Sequence, residues 1–119
     1  MITLTLPLPP TLNHYYGRRG KSTYIKAEGQ AFRLAVQEIV AAAGHPTLEG
    51  RVAVFAAIYP KNRIRQDIMN REKALSDALT HAGVWFDDSQ VDDFHIVRRE
   101  PVKGGMVKVV ITEITNGGE

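Results

Sequence analysis

The chain of 119 residues contains no cysteine. This absence excludes a disulfide framework, a thiolate metal site and a cysteine nucleophile, and it is typical of the reducing cytoplasm, where we expect the protein to act. No apolar run approaches the roughly 20 residues that a membrane-spanning helix needs. The apolar start of the chain has neither a basic leader nor a small-residue cleavage site. We therefore expect a soluble protein without a signal peptide.

Several sequence patterns of known catalytic sites are also missing. The chain has no glycine-rich phosphate loop and no nucleophile-elbow motif. Its four histidines are far apart and lack metal-ligand spacing, so they are interpreted as ordinary surface or core residues: His14, His45, His81 and His95.

The net charge of +2 is too small to indicate a partner, but its distribution is uneven. Residues 18–26 contain Arg18, Arg19, Lys21 and Lys26 without an acidic residue. Residues 61–73 contain five basic residues against two acidic ones, and residues 77–93 contain five aspartates without a lysine or arginine. This division predicts a charge-separated surface. Chance clustering on a solvated surface is the alternative, and charge alone does not decide between them.

The length fits a single domain spanning residues 1–119. Hydrophobic periodicity, with glycine and proline as stop signals, predicts the order β-α-β-α-β-β. Strands are expected at 2–8, 51–59, 94–99 and 107–114, and helices at 27–43 and 68–82. Residues 11–25 and 84–93 are expected to be loops.

This element order predicts an α+β fold, a mixed four-stranded sheet with two helices packed on it. The helix between the first two strands favours either a parallel pairing or a crossover. The last two strands are expected to form an antiparallel hairpin through the turn at 103–106.

Two segments carry the residue types of a metal-dependent site. Asp67 stands at the start of the second predicted helix, where Asn70, Lys73 and Asp77 recur on one face. Asp87 and Asp88 lie in the acidic loop. Hard cations such as Mg²⁺ bind clustered carboxylates, and metal-assisted phosphodiester hydrolysis also benefits from a nearby lysine that stabilises developing charge.

Each of these residues also fits an ordinary structural role. Asp67 fits a helix N-cap, and the two loop aspartates fit a solvated turn. Lys73 fits a solvated helix position. Trp85 and Phe86 are more typical of a core than of a base-stacking surface.

A family resemblance extends over nearly the whole chain. Its matching stretches are PP at 9–10, NHYY at 13–16, AEGQAFR at 27–33, RQDIMNREK at 65–73, DAL at 77–79, AGVWFDDSQV at 82–91 and KGG at 103–105. With these stretches the chain resembles the RusA family of Holliday junction resolvases. The most specific feature is a Trp-x-Asp-Asp-x-Gln segment downstream of an Asp-x-x-Asn-x-x-Lys helix.

The resemblance implies a homodimeric, Mg²⁺-dependent endonuclease that nicks two strands of a four-way DNA junction symmetrically. A two-fold protein would match a two-fold substrate, with one active site in each subunit. The family motif Asp-x-Asp-Asn, with a lysine three residues later, assigns catalytic roles to Asp67, Asn70 and Lys73. The family's loop aspartate corresponds to Asp88, and Asp87 is its neighbouring candidate ligand. The implied setting is recombination, repair or phage DNA processing.

One position departs from the family pattern, because Met69 stands where the motif has its second aspartate. A thioether does not replace a carboxylate as a ligand of a hard cation. Three explanations remain open: Asp87 or Asp92 supplies the missing oxygen, metal binding and cleavage are weakened, or the protein binds junctions without cutting them.

DNA contacts are predicted for two basic segments and two aromatic residues. Phosphate contacts are expected from Arg18, Arg19, Lys21, Lys26, Lys61, Arg63 and Arg65. Tyr15 and Tyr16 either stack on bases at the branch point or pack the loop on the domain. The function classes left open are a junction-cutting nuclease, a non-catalytic junction-binding protein and, if the resemblance misleads, a small protein-binding module.

Overall fold

The structure, a computed structural model, describes residues 1–44, 47–63 and 68–114. The strands in these ranges are β1 Ile2–Pro7, β2 Tyr16–Arg19, β3 Ser22–Ile25, β4 Arg51–Tyr59, β5 Val91–Arg98 and β6 Met106–Ile114. The α-helices are α1 Leu12–Tyr15, α2 Ala27–Ala43 and α3 Glu72–His81, and short 3₁₀ turns occupy Ile68–Arg71 and Asp88–Gln90. None of the helices in these ranges is long and apolar enough to cross a membrane.

The main sheet has four strands in the order β1-β6-β4-β5, and β2 pairs with β3 in a separate hairpin. β4 and β5 are parallel, whereas β6 runs antiparallel to both β1 and β4. The predicted α+β class with a mixed four-stranded sheet is therefore confirmed. β1 and β4 run in the same direction without touching, so α2 connects them as a crossover.

The predicted hairpin between the last two strands is wrong, because β6 lies between β1 and β4 rather than beside β5. After β5 the chain remains bonded to the end of β4: Arg99 N donates to Ile58 O at 2.8 Å, and Val102 N donates to Pro60 O at 2.9 Å. The chain thus passes across the end of β4 before Gly104 and Gly105, both with positive φ, turn it into β6. β6 suits this central position because its alternating apolar residues are buried: Val107, Val109 and Ile111.

One face of the sheet carries the hydrophobic core. Alternate residues of β1, β4 and β6 point to this face and pack against α2 and α3. Leu75 and Leu79 of α3 are fully buried, and Ile68 packs at the margin, so these residues form the apolar stripe of this segment. The polar stripe of α3 therefore points away from the core.

The second predicted helix begins differently from the prediction. Residues 68–71 form a 3₁₀ turn, and the α-helix starts only at Glu72. The buried Arg71 donates a hydrogen bond to the carbonyl oxygen of Pro9, which fixes this turn to the segment after β1. At the other end α3 stops at His81, and Gly83 follows with a φ of 82°.

The predicted loop 11–25 is mostly ordered secondary structure. It contains α1 and the β2–β3 hairpin, which reverses at Gly20 with a φ of 62°. Gly17 allows the Tyr24 ring to approach the backbone closely, since a Cβ there would lie 2.4 Å from the ring. These strands lack the alternation of apolar and polar residues that predicts a hairpin, because basic and aromatic residues on them are exposed.

The third predicted strand starts at Val91 rather than residue 94, so the end of the expected acidic loop is extended backbone. One of its acidic residues pairs with an arginine across the sheet, and another contacts a histidine two residues further along the same strand. The Nε of Arg51 on β4 lies 3.0 Å from Oδ1 of Asp92, and His95 lies 3.0 Å from Asp93.

A polar network joins three elements beside the core. The Tyr15 hydroxyl at the end of α1 donates to Oδ2 of Asp77 on α3. Arg33 on α2 donates to the same Oδ2 from Nη2 at 2.7 Å and from Nε at 2.9 Å. The Tyr15 ring is fully buried, and the side chains of Arg33 and Asp77 are only 22% and 28% exposed. The network therefore fixes α1, α2 and α3 relative to one another.

The network suppresses ionisation of the Tyr15 hydroxyl. Burial and the hydrogen bond to Asp77 raise the pKa of Tyr15 well above its ordinary value of 10.0. Below that value neither folded nor unfolded Tyr15 is ionised, and its contribution to stability is complete. Above it the unfolded chain loses the proton first, so this contribution declines as the pH rises.

We predict that Tyr15→Phe lowers the free energy of unfolding at neutral pH by roughly 1.5–3 kcal/mol, because a hydrogen bond to a charged partner is lost. Above pH 10, stability should fall less steeply in this variant than in the wild type. Urea denaturation at a series of pH values measures both effects. Tyr24→Phe is the control, since its ring is 43% exposed. Equal alkaline slopes for wild type and Tyr15→Phe would contradict the assignment.

Candidate functional site

The polar face of α3 forms one wall of a cleft of about 460 Å³. β5 and the turn before it form the opposite side, and Tyr16 of the hairpin borders it. The lining residues are Tyr16, Glu72, Lys73, Ser76, Asp77, Thr80, Asp88, Val91 and Phe94. Lys73 and Asp77 share this face, as predicted, because residues four apart lie together on a helix. Asp88 reaches the same cleft from a separate segment.

A capping arrangement fixes the turn that carries the two loop aspartates. The Asp87 carboxylate accepts a hydrogen bond from Ser89 N at 3.0 Å. In return the Gln90 side chain accepts from Asp87 N at 3.0 Å and from Phe86 N at 2.7 Å. This is a capping box, and its hydrogen bonds from Ser89 lower the pKa of Asp87. Both aspartates therefore occupy defined backbone positions.

Asp88 differs from its neighbour in its surroundings. It is exposed and lines the cleft, and its carboxylate makes no hydrogen bond or ion pair with the residues that the structure describes. Its carboxylate is therefore available to a cation or a ligand, whereas one oxygen of Asp87 is already engaged by the cap.

The indole of Trp85 connects this turn to α3. Trp85 is 1% exposed and donates from Nε1 to Thr80 Oγ1 at 2.8 Å. Gln90 adds contacts on the other side by donating to Leu48 O at 3.0 Å and Gly50 O at 2.8 Å. The predicted core role is confirmed for Trp85 and wrong for Phe86, which is 70% exposed. Of these two aromatic side chains, only Trp85 contacts α3.

Lys73 lies on the cleft wall beside Tyr16. Its Nζ is 6.0 Å from the centre of the Tyr16 ring, a distance at which a cation and an aromatic face attract. Burial, followed by the charge of Asp77, raises the pKa of Tyr16. The side chain of Lys73 remains exposed, so its ammonium is accessible to an anion in the cleft.

The other candidate residues are more dispersed. Asn70 lies in the 3₁₀ turn before α3 and is not among the lining residues of the cleft, and Met69 of the same turn is 62% exposed. Asp67 and Arg65 lie outside the described residues. Within the described ranges, no group of three or more histidine, cysteine, aspartate or glutamate side chains forms a metal site.

The predicted DNA-contacting cations occupy two regions. Arg18, Arg19 and Lys21 are exposed on the hairpin, and Lys26 is half-buried at the start of α2. Lys61 and Arg63 are exposed beyond the end of β4, where Arg63 lies 3.2 Å from Glu100. Because both partners in this pair are 81% exposed, the contact is weak and easily exchanged.

The two tyrosines have different roles. Tyr15 is fully buried, so base stacking is wrong for it and packing of the loop on the domain is correct. Tyr16 is half-buried and borders the cleft. Sequence reasoning missed Arg33, which fixes Asp77 at the back of the cleft. The only signal was an arginine on a helix rich in apolar residues.

The comparisons with known proteins identify the family of the chain. The family described as endodeoxyribonuclease RusA matches residues 7–112. A protein of Shigella sonnei named crossover junction endodeoxyribonuclease RusA is 41% identical over 96% of both chains. Proteins with the same name from Escherichia coli K12 and Enterobacteria phage 82 are each 40% identical, over 96% and 95% of both chains. The chain therefore belongs to the endodeoxyribonuclease RusA family.

Proposed function

We propose that this protein is a Mg²⁺-dependent endodeoxyribonuclease that resolves four-way DNA junctions as a homodimer by paired symmetric nicks. The observation that carries the proposal is the meeting of Asp88 and Lys73, from separate segments, in one open cleft. Its relatives are named crossover junction endodeoxyribonucleases. The setting we propose is DNA recombination and repair, including phage DNA, since one relative is from a phage.

The exposed carboxylate of Asp88 in the cleft is of the type that binds a hard cation. Asp88 and Asp67 are the principal ligands in this proposal, and the free oxygen of Asp87 is an additional one. Mg²⁺ commonly binds to one or two carboxylates together with water and substrate phosphate. When bound, the ion would supply charge neutralisation at the phosphate and an acidified water.

The chain's own side chains perform the remaining steps. Lys73 places a positive charge where the phosphate enters, and it stabilises the charge that develops on the phosphate oxygens. Asn70, one turn before Lys73 along the chain, orients the ligands or substrate through its amide. The Trp85–Thr80 hydrogen bond holds the Asp88 turn against α3, which keeps the carboxylate at a fixed position.

We expect Asp88→Asn to reduce junction cleavage by at least roughly a hundredfold, because loss of a direct ligand should exceed the effect of an outer-shell partner. Junction binding in the absence of metal should remain. The assay is the appearance of paired nicks in a labelled four-way junction with and without Mg²⁺. Asp93→Asn, an exposed aspartate on β5, is the matched control and should retain activity. Full cleavage by Asp88→Asn would reject the site.

Met69 defines the alternative function, a junction-binding protein with weakened or no cleavage. The same assay separates the two when Met69→Asp is included. A lower Mg²⁺ requirement or a gain of cleavage in this variant would identify a site that has lost a ligand. Cleavage by the wild type at submillimolar Mg²⁺, unchanged in Met69→Asp, would reject the weakened-enzyme alternative.

The basic regions support DNA binding in this proposal. In the sequence, Arg18, Arg19, Lys21 and Lys26 make up one basic group, and Lys61, Arg63 and Arg65 make up a second. Dimerisation would duplicate both groups beside two acidic clefts. Contacts of this type release counterions, so the affinity should fall as the salt concentration rises.

We predict that Arg63→Gln combined with Arg65→Gln weakens junction binding several-fold and makes its salt dependence shallower by about 1.8 in log–log slope, about 0.9 for each lost phosphate contact. Fluorescence anisotropy across a salt series measures both quantities. Arg51→Gln is the control, because this guanidinium lies at the opposite end of β4 and already pairs with Asp92. Unchanged affinity and slope in the double variant would remove these arginines from the DNA surface.

The uncovered face of the main sheet supports a homodimer. Phe55 of β4 stands opposite Val110 of β6 and His95 of β5 on this face. The next row contains Ala57 and Val97 together with Lys108 of β6. Phe55 is 39% exposed, and among the described residues no helix packs on this side. A second copy would cover the patch through the same residues, as a two-fold interface requires.

We expect the wild type to have the mass of two chains by light scattering after size-exclusion chromatography, and Phe55→Lys to have the mass of one. A lysine on this face would bring like charges together across a two-fold axis and leave them desolvated. Phe86→Lys, at an exposed phenylalanine away from the sheet, should remain dimeric. A Phe55→Lys dimer would place the interface elsewhere.

A further inference from the structure

A second cavity of about 430 Å³ lies beside the cleft, between α1, the hairpin and the start of α3. Its lining residues are Leu12, Asn13, Tyr16, Arg18, Thr23 and Lys73. Tyr16 and Lys73 also line the cleft, so these two side chains form a shared wall. A ligand that fills both spaces must therefore pass along this wall.

The aromatic side of this wall is held in place before any ligand binds. The Tyr16 ring packs edge-to-face on Tyr15, with ring centres 4.6 Å apart and planes at 61°. Tyr15 is in turn fixed by Asp77 and Arg33. A ring that cannot rotate freely loses little entropy when a second planar group stacks on it.

The polar side chains of the cavity surround this ring. Asn13 is exposed and its amide makes no hydrogen bond with the residues that the structure describes. Arg18 and Thr23 face each other across the hairpin. Lys73 lies close to the Tyr16 ring. The cavity thus combines an aromatic wall, an amide with both donor and acceptor groups, and two cations.

We propose that this cavity binds an unpaired nucleobase of branched DNA, adjacent to the phosphate that enters the cleft. The inference rests on the proposed function, because it takes the cleft as the site of phosphate cleavage. Tyr16 stacks on the base, Asn13 hydrogen-bonds to its edge, and Arg18 with Lys73 contact the flanking phosphates.

An unpaired nucleobase is most easily obtained at the branch point of a junction. Bases in a continuous duplex are stacked and paired, whereas those at a branch are more easily displaced. The cavity therefore favours branched over linear DNA. Because the Asn13 amide offers a donor NH2 group and an acceptor oxygen, the cavity also discriminates between bases at that position.

The test compares an intact four-way junction with one that carries abasic sites at the branch-point nucleotides. Affinities are measured by fluorescence anisotropy without Mg²⁺, for the wild type, Tyr16→Leu, Asn13→Leu and Tyr24→Leu. Tyr24 is the control because it is an exposed aromatic on the same hairpin and does not line the cavity.

We expect the abasic junction to bind the wild type about tenfold more weakly than the intact junction. Tyr16→Leu should bind the intact junction about tenfold more weakly than the wild type does. Abasic sites should not lower the affinity of this variant further, because the two groups in contact are lost together. Tyr24→Leu should retain the full abasic effect. Asn13→Leu should bind the intact junction more weakly than the wild type does, and the abasic junction no more weakly.

Equal binding of intact and abasic junctions by the wild type would overturn the proposal, and this result does not depend on the folding of any variant. The proposal would also be overturned if the losses of binding free energy caused by Tyr16→Leu and by the abasic sites were additive. Failure of the proposed function has a different outcome, namely no preference of the wild type for a four-way junction over linear duplex and no nicks with Mg²⁺.

Discussion

The hydrogen-bonded ion pair of Arg33 and Asp77, with the Tyr15 hydroxyl, is the constraint on which the site depends. It connects α1, α2 and α3, which are separated along the chain by strands. Such a pair adds little net stability compared with apolar packing, but removing one partner leaves an uncompensated charge. Its effect is therefore to select one arrangement of the three helices, and with it the positions of Tyr16 and Lys73.

The cleft forms because α3 has an apolar face that packs in the core and a polar face that does not. Leu75 and Leu79 bury one face against the sheet, so Lys73 and Asp77 must face the other way. The Asp88 turn is then brought to this polar face by contacts that involve no catalytic group, chiefly the Trp85–Thr80 hydrogen bond. An open carboxylate thus stands on a rigid support, as a precise ligand position requires.

Sequence periodicity predicted the fold class and most elements, because the alternation of β4 and β6 and the helical pattern of α2 are local properties. It did not predict that β6 enters between β1 and β4, since strand partners are chosen by packing between distant segments. The β2–β3 hairpin was missed because exposed Arg18, Arg19 and Tyr24 replace the usual alternation. Asp88 and Lys73 were candidates because of their residue types and spacing, and the family resemblance assigned their roles. The contact of Asp77 with Arg33, 44 residues earlier in the chain, has no signature in a single sequence.

Met69 stands where the family motif has an aspartate. The effect of this replacement on metal binding depends on whether another carboxylate can take the place of the missing ligand. Asp92, a candidate substitute, is paired with Arg51, and one oxygen of Asp77 already accepts three hydrogen bonds from Arg33 and Tyr15. Asp87 can offer only the oxygen that its cap leaves free. Asp92 could bind a metal only by giving up its pairing with Arg51, whereas Asp87 could contribute a single oxygen. The metal in our proposal therefore depends on Asp67 and Asp88 with substrate phosphate and water, a set that is sufficient for Mg²⁺ but ties metal binding to the presence of DNA.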